Sequence, residues 1–337
     1  MTGPLTSTSP AIVQGSLPSV AFPERLATFR AQAKMGGAAG SRDRSQWLVT
    51  VELSPPKGVD ASRMLAMAET LVGWVDAINV PDCQRAILKM SSLAASVAIE
   101  RYTGLSTVWQ LTCRDRNVLA LQADILGAYA LGIRTILALT GDPVQVGDHK
   151  DVAQQVFHLE SARLLSLLTD LNAGNDATGK ALRHGGTQFC VGAALNPLRL
   201  AKAAQQNRLR QKLQRGVDFF QTQPVYEPAL IEDANGMVAS LSAELGVPVP
   251  PVLVGLIPPA NATMARMMNQ DVAGVTIPDS FIELLERADD PKAESVAFCA
   301  EAIETLKPVA QGFHIMPVAM ESYAQRLLAT CFDPVVA

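Results

Sequence analysis

Beyond Arg44 the chain settles into a repeat in which short apolar, β-branched runs alternate with longer stretches whose apolar positions recur every three or four residues. The short runs lie at residues 47–53 (WLVTVEL), 76–80 (DAINV), 106–112 (STVWQLT), 134–140 (RTILALT), 189–195 (FCVGAAL), 218–223 (DFFQTQ), 252–257 (VLVGLI) and 312–317 (GFHIMP). They read as strands buried on both faces, the pattern of a parallel sheet covered by helices. Eight strand–helix units in succession predict an α/β fold of the closed (β/α)8 TIM-barrel type rather than an open doubly wound sheet. No GxGxxG follows the first run, which removes the main mark of a dinucleotide-binding sheet.

Three segments depart from the repeat. Residues 1–20 are rich in Ser, Thr, Pro and Gly and predict a mobile tail. Residues 23–35 carry a helical spacing with a proline near the start, followed by the breaker GGAAGS, so 1–44 is expected to be a disordered N-terminal tail with one short helix and 45–337 the barrel domain. The glycine-rich stretch has no strand before it and no GK[ST] after it, and reads as a linker rather than a phosphate loop. Residues 141–157 form a long polar connection after the fourth strand, and 261–306 hold extra helices before the last one.

Composition narrows the class. Thirty-two acidic and 28 basic residues in mixed order give a net charge of −4, with no clustered basic face to suggest nucleic acid. The five cysteines, Cys83, Cys113, Cys190, Cys299 and Cys331, form no CxxC, so neither a disulfide framework nor a metal site is expected. With no signal-like start and no apolar run of spanning length, the expectation is a soluble cytoplasmic protein with no membrane partner.

Barrel enzymes carry their chemistry at the C-terminal ends of strands. At those ends stand Glu52, Gln110 and Thr112, Asp142, Asn196, and Gln221 and Gln223. A carboxylate inside an apolar strand is costly unless paired or used, which makes Glu52 the sharpest candidate; a catalytic acid and an ion-paired Glu are equally consistent with its position. Asp142 between Gly and Pro also suits an ordinary turn. Arg114, Asp115 and Arg116 read as a solvated or helix-capping cluster. His149, His158, His184 and His314 show no metal spacing and read as surface or packing residues.

The ordered set VELSPPK, LTCRDRN, LALTGDP and QTQP resembles the methylenetetrahydrofolate reductase family, particularly the branch associated with corrinoid- and homocysteine-linked methyl transfer. The likeness runs from about Trp47 to about Leu328. It implies an FAD-dependent oxidoreductase of one-carbon metabolism and methionine biosynthesis, with NADH or NADPH as co-substrate and a tetrahydrofolate derivative as substrate. A methyltransferase partner and a homo-oligomer belong to the same expectation. On this resemblance Glu52 is the general acid that opens the folate ring, and Asp142 is the carboxylate beside flavin and pterin. Gln223 contacts the pterin, Lys212 the cofactor phosphates, and Thr140 and Gly141 form the turn over the cofactor. Gln110, Thr112 and Asn196 complete the expected cofactor-binding set, and Glu52, Asp142 and Gln223 the substrate-binding set.

The sequence also departs from the family pattern. Gln110 stands where relatives carry a His beside the flavin, Gln205 where many carry an acidic residue, and Ala262 where an aromatic stacks on folate. Two alternatives follow: direct hydride transfer from nicotinamide without a flavin, and a non-catalytic folate-binding partner of a methyltransferase.

Overall fold

The computed structural model describes residues 21–31, 37–38, 40–272 and 274–335. The expected mobile tail at residues 1–20 lies outside them, as does the end of the 23–35 helix. Eight parallel strands close into a barrel in chain order: β1 (Leu48–Glu52), β2 (Ala77–Val80), β3 (Ser106–Thr112), β4 (Thr135–Leu139), β5 (Cys190–Leu195), β6 (Phe219–Pro224), β7 (Val252–Leu256) and β8 (Gly312–Ile315), with β8 pairing back onto β1. Every apolar run thus becomes a strand. Three helices, at Ala262–Asp271, Asp279–Arg287 and Pro291–Leu306, precede β8, as the sequence predicts. Among the described residues no helix is long and apolar enough to cross a membrane.

Strand alternation sorts the barrel interior into a dry floor and a polar upper half. Leu48, Ala77, Val108, Leu137, Cys190, Phe219 and Leu253 pack at the floor. Helix α1 (Phe22–Ala31) closes it from below, because Phe22, Leu26 and Phe29 share one helical face and are all buried there. Each such side chain contributes roughly 1.5–3 kcal/mol of burial. Arg25 and Arg44 fix this end by donating to the buried Asp76 carboxylate at 3.2 and 2.9 Å.

Above the floor Asn79 and Gln221 exchange amide hydrogen bonds at 2.8 and 3.2 Å, and Gln221 also donates to Thr50 Oγ1 at 3.2 Å. Thr50 meets His314 Nδ1 at 2.9 Å, and burial pushes the His314 pKa down to about 3, so the ring is neutral. This layer carries no charge. It supports the mouth, where the titratable groups begin.

Candidate functional site

Glu52 is the last residue of β1, two positions beyond Thr50 and on the same inward face. Its Oε2 accepts a hydrogen bond from Gln110 Nε2 of β3 at 2.9 Å. Gln84 Nε2, from the loop after β2, lies 3.5 Å from its Oε1. Among the described residues no Lys or Arg forms an ion pair with it, so the ion-paired alternative is not what the fold builds. Burial raises the Glu52 pKa to about 7, and the Gln110 N–H offsets part of that rise. The result is a carboxyl group that can hold a proton near neutral pH.

Asp142 lies on the same mouth, just past β4, and is exposed. Its Oδ2 accepts the backbone N–H of Arg85 at 2.7 Å, so it braces a neighbouring loop. Gly141 makes the turn before it with φ +92°, and a Cβ there would come 2.9 Å from Thr112 Cβ. The loop at residues 81–89 therefore joins the two carboxylates, Glu52 through Gln84 and Asp142 through Arg85. Three of its non-glycine residues, Cys83, Arg85 and Ala86, hold φ values of 48°, 55° and 52°. Such conformations cost about 1–3 kcal/mol each and persist only where surrounding contacts over-determine them. Here those contacts include Arg114 Nη1 donating to Cys83 O at 3.1 Å and Leu88 N donating to Asp148 at 3.2 Å.

A cleft of 750 Å³ opens on the same mouth, between the ends of β4, β5 and β6 and the helix Ala203–Gln214; neither Glu52 nor Asp142 lines it. Thr140, Asn196, Lys212 and Gln223 of the expected set all line it, together with Gln205 and Arg208. Lys212 Nζ donates to Ala194 O at 2.6 Å, and burial, aided by the Arg208 charge, lowers its pKa to about 8. Thr140 Oγ1 accepts from Ser161 N at 3.1 Å, at the start of the helix Ser161–Asn172. Asn196 Oδ1 is buried without a hydrogen-bond partner. Arg208 and Lys212 are cations for a diphosphate, and the unpaired Asn196 oxygen is an acceptor for a ribityl or ribose hydroxyl, so these residues fit a flavin dinucleotide even with the Glu160 carboxylate on the same wall.

Thr112 sits at the rim, tied to the loop after β2. Its N–H and hydroxyl both donate to Asp82 Oδ2, at 3.1 and 2.8 Å, and Arg116 Nη1 donates to the same oxygen at 2.7 Å. Arg114 is buried and grips Asp115 through Nε and Nη2. Arg114 and Arg116 are therefore built into the mouth, while Asp115 is exposed to solvent. Gln84, Arg85 and Asp82 were not among the sequence candidates. The polar PDCQR run directly after β2 was the available signal, and it carries no periodicity to flag it.

The family model described as methylenetetrahydrofolate reductase matches residues 39–331. The chain belongs to that family. Among solved structures, the fold is similar to that of an uncharacterized protein from Clostridium thermocellum that binds two copies of 5-methyl-5,6,7,8-tetrahydrofolic acid, at 15 % identity and TM-score 0.62, covering 86 % of this chain and 94 % of that one. DmoA from Hyphomicrobium sulfonivorans aligns at 8 % identity and TM-score 0.48, over 84 % of this chain and 86 % of the other. No match is found among curated protein sequences.

Proposed function

We propose that this family member is a folate oxidoreductase that interconverts 5,10-methylenetetrahydrofolate and 5-methyltetrahydrofolate, with hydride passing through FAD and NADH or NADPH as the other hydride partner. The observation that carries the reading is Glu52, a buried carboxyl group with a pKa near 7, two amide neighbours and, among the described residues, no counter-cation. In the reductive direction its O–H gives a proton to the folate nitrogen as the methylene C–N bond breaks, and the second nitrogen's lone pair makes the 5-iminium cation. Asp142, on the same mouth, stabilises that cation by its fixed negative charge. Gln223, in the adjoining cleft, supplies an amide for the pterin edge. Arg208 and Lys212 would hold the cofactor's phosphates, with Thr140 and Asn196 beside them. A flavin held there would supply hydride chemistry, the reduction the iminium needs to become the methyl group. The fold shared with a 5-methyltetrahydrofolate-binding protein supports the same substrate class.

A second reading is direct hydride transfer from nicotinamide without a flavin. Its support is Gln110, which replaces the family's flavin-side His and whose amide is turned onto Glu52. A near-UV and blue absorption spectrum of purified protein separates the two. Stoichiometric FAD with acceptor-linked turnover of methyltetrahydrofolate supports the flavin route. Turnover of methylene-folate with NAD(P)H and no flavin band supports direct transfer. Folate binding with no redox turnover, with or without added FAD, overturns both in favour of a binding partner.

A further inference from the structure

Gln84 occupies an unusual position. Its Nε2 donates to Ser54 Oγ at 2.8 Å and lies 3.5 Å from Glu52 Oε1, while its Oε1 is buried with no hydrogen-bond partner. A buried amide oxygen left unpaired is uncommon in a folded protein and calls for a reason. The strain of the surrounding loop points the same way. Cys83, Arg85 and Ala86 flank Gln84 in left-handed conformations, held by Arg114, Asp142 and Asp148. Several independent contacts are thus spent on placing one amide against one carboxyl group.

The two ends of an amide differ in chemistry but hardly in shape: one donates, the other accepts. Ionised Glu52 offers only acceptors, and the Nε2 end of Gln84 is the end that suits it. Protonated on Oε1, Glu52 has an O–H that needs an acceptor, and half a turn of the Gln84 amide brings Oε1 to it. Ser54 permits the exchange, because a hydroxyl accepts from Nε2 in one orientation and donates to Oε1 in the other. In either orientation one end of the amide lacks a partner, so the proton on Glu52 decides between them. Gln110 meanwhile holds Oε2.

Building on the proposed acid role of Glu52, we propose that Gln84 is its positioning residue: an amide that turns with the proton, donating to the carboxylate and accepting from the acid, and so keeps the acid's O–H in one direction. The Arg85–Asp142 hydrogen bond extends the device, since any ligand that draws Asp142 away loosens the loop that carries Gln84.

The test is pH-difference infrared spectroscopy on the full-length protein, which reads the carboxylic acid C=O band directly and needs no turnover. Glu52→Gln identifies the band by abolishing it. In Gln84→Leu the band is expected at higher wavenumber, because the acid O–H has lost its acceptor, and Ser54→Ala shifts it less in the same direction. Turnover of methyltetrahydrofolate by Gln84→Leu falls roughly tenfold, and its apparent pKa moves by less than about half a unit because both protonation states lose a partner. An unmoved band in Gln84→Leu overturns the proposal, whatever happens to stability. If that variant does not fold, Gln84→Asn withdraws the amide while keeping its polarity, and the same band shift is required. A wild-type protein with the predicted infrared behaviour but no folate turnover would defeat the proposed reaction and leave the Gln84–Glu52 relationship standing.

Discussion

Gln110 of β3 donates its side-chain N–H to the Glu52 carboxyl group of β1 across 2.9 Å, joining two strands that are not neighbours in the barrel. This bond works against burial, which raises the Glu52 pKa, by favouring the ionised form. Gln110→Leu removes the donor and leaves the burial. A hydrogen bond to a charged group contributes about 1.5–3 kcal/mol, so the Glu52 titration midpoint should move upward by about one unit or more. The alkaline limb of a pH–rate profile for folate turnover is the measurement: activity that falls as pH rises through about 7 in the wild type should persist to higher pH in the variant. A downward shift would mean that Gln110 acts mainly on the protonated acid.

Glu52→Gln keeps the shape and the hydrogen-bonding capacity but has no proton to give. Turnover should drop at least about a hundredfold, as for other general acids. Stability should change in the opposite sense. A carboxyl group at about 7 in the folded state and about 4.5 unfolded binds more protons when folded, so stability falls as pH rises through that interval. The cost is fully present above pH 7. The residue keeps some contact with solvent through the mouth, which reduces the figure to roughly 2–3 kcal/mol. Urea unfolding at pH 8.5 should therefore find Glu52→Gln more stable than the wild type, with the difference vanishing near pH 4.

Lys212 gives the cofactor cleft its own pH dependence. Its pKa of about 8 reflects burial first and the Arg208 charge second. A phosphate-bearing ligand binds the ammonium form, so affinity should be flat below pH 8 and decline about tenfold per unit above it. Lys212→Met should weaken FAD binding and remove the decline, as read by flavin fluorescence quenching across pH 7–9.5. A decline that survives in the variant assigns it to another group.

The eight strands were legible because each is an apolar run too short for a helix and too continuous for a surface strand. Glu52 was legible for the related reason that a carboxylate stands out at the end of such a run. Lys212 and Gln223, by contrast, belong to different elements, and no local pattern connects them; only the likeness to a family did. The loop carrying Gln84 escaped notice because its residues contradict local preference. Cys83, Arg85 and Ala86 occupy a backbone region where glycine or asparagine would ordinarily stand, and only tertiary contacts hold them there. The burial of Arg114 was hidden similarly, since its partners Cys83 and Asp115 come together only once β2 and β3 are paired.

Asp82 is where that hidden organisation should be most fragile. Its carboxylate receives the Thr112 N–H, the Thr112 hydroxyl and Arg116, and Ser92 Oγ lies 3.3 Å from its other oxygen. Asp82 is buried, and Arg116 is only 19 % exposed. Asp82→Ala would leave a guanidinium with its deepest partner gone and two Thr112 donors facing an apolar methyl group. Breaking a buried pair from one side costs about 3–5 kcal/mol. Part of the Arg116 charge remains matched by Asp124 at 2.9 Å, so the lower end is expected, about 3 kcal/mol. Thermal unfolding should register a clear fall in Tm. Because Thr112 and Gln110 share β3, the end of that strand should also loosen, and the Glu52 infrared band should broaden without disappearing. Asp82→Asn, which keeps an acceptor for Thr112 but not the charge, should recover part of the stability. A variant as stable as the wild type would show that the mouth is held by β-strand pairing alone.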